Sequence, residues 1–210
     1  QSKRGDIVYV HYSGHGQQMK DVHNDEKDGL DECWIPYDAY RKPCEKDRGE
    51  KHLTDDEVNY YLNAIRDKIG DSGKMLVVID ACHSGGATRG DEDEVVRGVE
   101  DIFEAIKSFI WGTSADNGKA DVNPNAKENK ERWITISACK SDQVNIEMKS
   151  PAVGKLTYAI CNKVKESTGN DNYDFIRRIR KFVNSNTGSR PQYPVMTGEI
   201  DRFRITDIIQ

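Results

Sequence analysis

Two stretches of the chain share one design, an apolar, β-branched run that stops at glycine and a reactive side chain. Asp6-Ile7-Val8-Tyr9-Val10-His11-Tyr12 leads into Ser13-Gly14-His15-Gly16, and Val77-Val78-Ile79-Asp80-Ala81 leads into Cys82-His83-Ser84-Gly85-Gly86. Apolar runs without alternation predict strands covered on both faces, as in parallel α/β sheets, where ligands sit at the carboxyl ends of strands. Between the two runs, Thr54-Asp55-Asp56-Glu57 has capping-box spacing, and Val58, Leu62, Ile65 and Ile69 form one apolar stripe. That pattern predicts a helix. Strand, helix and strand in this order predict a right-handed parallel crossover that sets His15 and Cys82 side by side.

The rest of the chain is less regular. Residues 17–52 read as a long polar loop, with acids gathered around Asp28-Gly29-Leu30-Asp31-Glu32. Val95, Val99, Ile102, Ile106 and Phe109 have the spacing of a short amphipathic helix, whereas residues 112–131 hold almost nothing apolar and predict a mobile connection. Trp133 to Ala138 predicts a further strand, 154–166 and 173–184 predict helices, and Tyr193-Pro194-Val195-Met196 predicts a last short strand. The whole reads as one α/β domain over residues 1–210, divided into parts at 1–111 and 133–210 by a linker at 112–132.

Composition narrows the function classes. A formal charge of −5 gives no basic footprint, so nucleic acid is disfavoured as a partner. The five cysteines are odd in number and form no CxxC pair, which argues against a disulfide framework or a structural zinc site and favours a reducing, cytoplasmic setting. No run approaches the ~20 apolar residues of a membrane span.

The chemistry follows from the two strand ends. A cysteine serves as a nucleophile when a base can take its proton and when donors can stabilise the oxyanion formed by attack on a carbonyl. Cys82 and His15 supply the first pair. Glycines at 14, 16, 85 and 86 open the backbone to substrate, and the amides of Gly16 and Cys82 are candidates for the oxyanion hole.

Tyr12-Ser13-Gly14-His15-Gly16 and Asp80-Ala81-Cys82-His83-Ser84-Gly85 closely resemble the two catalytic motifs of metacaspases and bacterial caspase-like peptidases of the caspase clan. The resemblance implies a caspase-like three-layer sandwich, with a mostly parallel central sheet flanked by helices. It also implies that the first strands of that sheet are missing from this chain, so that an N-terminal fragment is an expected partner. In its terms His15 is general base and acid, Cys82 is the nucleophile, and Asp80 stands in the pocket for the side chain before the cut. Ser13 and Asp142 are further candidates for that pocket. A carboxylate there selects protein or peptide substrates with Arg or Lys and repels Asp.

The acidic loop and the start of the first helix resemble regions that supply calcium ligands in calcium-dependent metacaspases, which makes Asp31, Asp55 and Asp56 candidate ligands. Electrostatics at a helix N-terminus explains Asp55 and Asp56 equally well. A peptidase selecting basic residues would also find Arg89, Arg97, Lys107, Lys119, Lys127 and Lys130 in its own chain, so self-processing between Arg89 and Arg132 is expected. The rival readings are a catalytically silent caspase-fold scaffold and a regulator in which Cys82 senses redox state or a ligand.

Overall fold

The computed structural model describes residues 2–21, 29–82, 94–103, 131–140, 143–163, 171–185 and 191–209. Its centre is a four-stranded sheet. β1 (Ile7–Ser13) and β5 (Lys74–Asp80) run parallel in register from Ile7↔Lys74 to Ser13↔Asp80, and β5 runs parallel to β8 (Ile134–Ser137). β11 (Val195–Gly198) closes the order β1-β5-β8-β11 antiparallel to β8.

Each face of this sheet has its own apolar layer, because successive strand residues point to opposite sides. Met75, Val77 and Trp133 pack with Leu62 and Ile69 of α1 (Asp55–Ile69), with Val8, Val10, Val58 and Ile65 against them. The capping box at Thr54 forms as its sequence requires: its side chain accepts from the Glu57 amide, and the Glu57 carboxylate accepts from the Thr54 amide. On the opposite face Leu76, Val78, Ile134 and Ile136 pack against α2 (Lys155–Lys163) and α3 (Asn172–Ser185), through Leu156, Ile160, Phe175, Ile179 and Val183. The result is helix, sheet, helix, and a short α4 (Thr206–Ile209) ends the described chain.

Two expectations are corrected. Within the supposed loop at 17–52, β2 (His15–Lys20) pairs antiparallel with β3 (Leu30–Ile35), and β4 (Leu53–Thr54) adds to β3. Polar residues hid these strands because their side chains are satisfied inside: Gln17, 1% exposed, donates to the Arg41 carbonyl and contacts His52. Nor does a helix start at Val95. β6 (Glu94–Val96) and β7 (Gly98–Phe103) are strands; Ile106 and Phe109 lie outside the described residues. β6 pairs antiparallel with β9 (Ile146–Lys149), which also carries β10 (Ala152–Gly154), while β7 runs parallel to β2. Valines and isoleucines three or four apart fit a helix face, but they fit strands equally well when partner strands are available, and β9 and β2 provide them.

Candidate active site

The parallel register that ends at Ser13↔Asp80 delivers the next residues of both strands to one edge. Gly14 donates its amide to the Asp80 carbonyl at 3.2 Å. Gly16 then passes so close to Cys82 that a Cβ there would collide with the Cys82 carbonyl oxygen, so only glycine lets the His15 segment lie against the cysteine. Tyr12 fixes that segment from below. Its ring stacks on Trp34 at 4.4 Å, and its hydroxyl donates to the His15 carbonyl at 2.7 Å while accepting from the Ile35 amide at 3.0 Å.

Arg97, between β6 and β7, lies across this edge. Its carbonyl accepts from the amides of Cys82, at 3.2 Å, and Gly16, at 3.3 Å. These are the two donors expected to form the oxyanion hole. Its own amide donates to the Asn145 carbonyl at 3.0 Å, continuing the antiparallel ladder between β6 and β9. The side chain is buried, and its Nη1 donates to Ser13 Oγ at 2.6 Å and to the Asp80 carbonyl at 3.1 Å. The Asp80 carboxylate stands 4.0 Å from that nitrogen, and Nε donates to Glu147 at 3.2 Å. Thus Asp80 and Ser13 meet around one guanidinium.

Asp80 is fully buried and held by neutral donors. Asn145 Nδ2 donates to Oδ1 at 2.7 Å; the amide and hydroxyl of Thr157 donate to Oδ2 at 2.8 and 2.5 Å. Gly154 leaves room for this, since a Cβ there would run into the carboxylate. A carboxylate anchored in this way keeps its direction, so a cation that faces it finds it already oriented.

Asn145 is one of the residues that the sequence did not single out. Besides holding Asp80 and the Arg97 amide, its own amide donates to Cys82 Sγ at 2.9 Å. Gln192, fully buried, fixes it in turn: Gln192 Nε2 donates to Asn145 Oδ1 at 2.9 Å, and Gln192 Oε1 accepts from the Ile146 amide at 3.2 Å. A lone Asn in a polar stretch carried no signal, because its role arises from pairing with segments 63 and 65 residues away.

With Arg97 in place, His15 and Cys82 are each shifted towards the neutral form. Burial pushes the Cys82 thiol up to about 11, while backbone hydrogen bonds at Asn145 and Arg97 pull it the other way. Burial also lowers His15 below its ordinary value, the Arg97 guanidinium lowers it further, and Glu147 opposes them. His15 is therefore a free base at neutral pH, and Cys82 keeps its proton until a base removes it.

Other expected residues fall elsewhere. Asp142 and His83, with Ser84, Gly85 and Gly86, lie outside the described residues, as does the linker at 112–130. Asp31 is buried on β3, while Asp55 and Asp56 occupy the first turn of α1, where they face the positive end of its dipole. Among the described residues no group of three or more His, Cys, Asp or Glu side chains is arranged to hold a metal ion. Nor is any helix among the described residues long and apolar enough to cross a membrane.

The caspase domain family matches residues 1–202. Metacaspase-1 of Schizosaccharomyces pombe is 28% identical over 89% of this chain and 48% of its own length; Metacaspase-1B of Neurospora crassa is 26% identical over 91% and 49%. The chain thus spans about half the length of the curated relatives it matches. A crystal structure of a Geobacter sulfurreducens protein aligns over 92% of this chain and 66% of that one, with a TM-score of 0.52 and 21% identity, a likeness of fold. The chain belongs to the caspase-domain family of cysteine peptidases.

Proposed function

We propose that this chain is an endopeptidase that cuts after arginine or lysine through a Cys82–His15 dyad, and that one of the bonds it cuts is its own Arg97–Gly98. The observation that carries the reading is the pose of Arg97. Its carbonyl faces both oxyanion donors, its side chain enters the pocket of Asp80 and Ser13, and β6 adds to β9 as an extended peptide adds to a sheet edge. This is how a substrate must lie for cleavage after a basic residue.

His15 accepts the Cys82 proton as Sγ attacks the carbonyl carbon, and the negative charge moves to an oxygen already facing the Gly16 and Cys82 amides. Collapse of this intermediate breaks the C–N bond, and the imidazolium returns the proton to the departing amine. A thioester on Cys82 remains. Water, deprotonated by His15, attacks it and releases a carboxylate and the thiol. No step is routed through a metal ion.

The test is hydrolysis of matched fluorogenic peptides ending in Arg, Lys or Asp by the chain and by Cys82→Ala, with calcium and with chelator. Cleavage of the Arg and Lys peptides alone, lost in Cys82→Ala, is expected. Silence towards all three, at every calcium level, would favour a caspase-fold scaffold for which Arg97 is a permanent plug. Additional strands pairing with β1, which stands at one end of the central sheet, remain part of the proposal.

A further inference from the structure

The pocket around Arg97 holds a second acid, Glu147, for which no role was expected. It lies on β9 opposite Val95, which makes it the diagonal neighbour of Arg97 across the β6–β9 pair. Such neighbours are within reach of long side chains, and Glu147 Oε2 accepts from Arg97 Nε at 3.2 Å. The guanidinium is thus divided between two partners. Nη1 faces Ser13 and Asp80 at the depth of the pocket, and Nε faces Glu147 nearer its mouth, where that side chain is 26% exposed.

We infer that Glu147 is the residue that makes this site prefer arginine to lysine. In a lysine side chain the position of Nε is a methylene carbon, which has no proton to offer Glu147. The lysine ammonium is also a single point, so turning it towards one acid turns it from the other, whereas the planar guanidinium serves both at once. Ser13 and Asp80 alone recognise positive charge. Glu147 adds recognition of the group that only arginine carries. Asp80 is fully buried and held by three donors, so it cannot move to follow a shorter cation.

This inference rests on the reading of Arg97 as an occupied substrate position, and its test separates the two. The first measurement is kcat/KM for matched Arg and Lys peptides with the chain and with Glu147→Leu. A hydrogen bond between charged partners is worth enough that the Arg peptide should lose about tenfold or more, while the Lys peptide changes by less than about threefold. An equal loss on both peptides, or an unchanged Arg-to-Lys ratio, overturns the role. The second measurement needs no turnover. Cys82→Ala with Arg97→Ala is titrated with labelled peptides ending in Arg or Lys, with Glu147 present and with Glu147→Leu added. Tighter binding of the Arg peptide that disappears with Glu147→Leu supports the inference even if the chain cleaves nothing. Equal binding of the two peptides while Glu147 is present overturns it, whatever the hydrolysis assay gives.

Discussion

The amide of Cys82 donates to the carbonyl oxygen of Arg97 at 3.2 Å, so the residue that bears the nucleophile also supplies a donor to the carbonyl it would attack. The Gly16 amide reaches the same oxygen at 3.3 Å. Donors already aligned on one oxygen need no rearrangement as charge develops there. The bond most exposed to the chemistry is therefore Arg97–Gly98. Purified chain should yield two fragments, one ending at Arg97 and one beginning at Gly98, read by intact mass and N-terminal sequencing. Cys82→Ala should remain whole, and Arg97→Ala should lose this cut. A fragment boundary only at other basic residues would show that the pose of Arg97 is not a productive one.

Asn145 connects nucleophile and pocket, and its two halves can be separated. Asn145→Ala removes the donor to Asp80 and the acceptor from Gln192 but leaves the backbone amide that faces Cys82 Sγ. Loss of a hydrogen bond to a charged group costs about 1.5–3 kcal/mol, so kcat/KM on Arg peptides should fall roughly tenfold to a hundredfold. Alkylation of Cys82 should keep its rate, since the group facing the thiol is main chain. Asn145→Asp should be worse, because a second carboxylate would then face Asp80 across 2.7 Å. If alkylation slows as much as peptide cleavage, Asn145 is a general support of the loop and not a link to the pocket.

What the sequence made legible were the features encoded within a few residues of one another. The apolar runs before Ser13 and Asp80 gave β1 and β5 and their parallel pairing, and Thr54 and Glu57 gave the start of α1. The strand ends then located His15, Gly16, Cys82 and Asp80 at one edge. Less legible were elements defined by their partners. β2 and β3 keep polar residues inside by pairing them, and β6 is a strand because β9 lies beside it. Asn145 and Glu147 belong to that second group. Both come from a stretch without an apolar pattern, and their partners lie far away in sequence: Asp80, Cys82 and Gln192 for Asn145, and Arg97 across the β6–β9 pair for Glu147.

Asp80 provides a sharper test of the pocket than removing the whole side chain. Asp80→Asn keeps the shape, but an amide cannot accept on both sides. One of its ends then presents N–H groups either to Asn145 Nδ2 or to the Thr157 amide, donor against donor. The charge that faces the guanidinium disappears as well. Truncating one member of a buried charge pair costs about 2–5 kcal/mol, so cleavage after arginine should drop at least roughly thirtyfold. Thermal unfolding, measured alongside, reports the donor clash separately. An Asp80→Asn chain that cleaves Arg peptides at an unchanged rate would remove Asp80 from the selection of substrate.

The pH dependence of self-cleavage follows from the occupied site, which is the state in which His15 and Cys82 have the shifts described. His15 must be neutral to take the thiol proton. Burial and the Arg97 guanidinium hold its pKa below the usual 6.5, so the neutral form persists to a lower pH than for a free imidazole. Cleavage should therefore be level at neutrality, and its acid limb should lie below 6.5. Cys82, raised to about 11, remains a thiol throughout this range and imposes no second limb near neutrality. Glu147 raises the His15 pKa, so Glu147→Leu should move the acid limb still lower as it weakens recognition of arginine. A resting thiolate–imidazolium pair would behave in the opposite way: the rate would fall as rising pH took the proton from His15. The rate of appearance of the Gly98 fragment across pH 4.5 to 9 distinguishes the two, and an acid limb at or above 6.5 would rule out the neutral dyad.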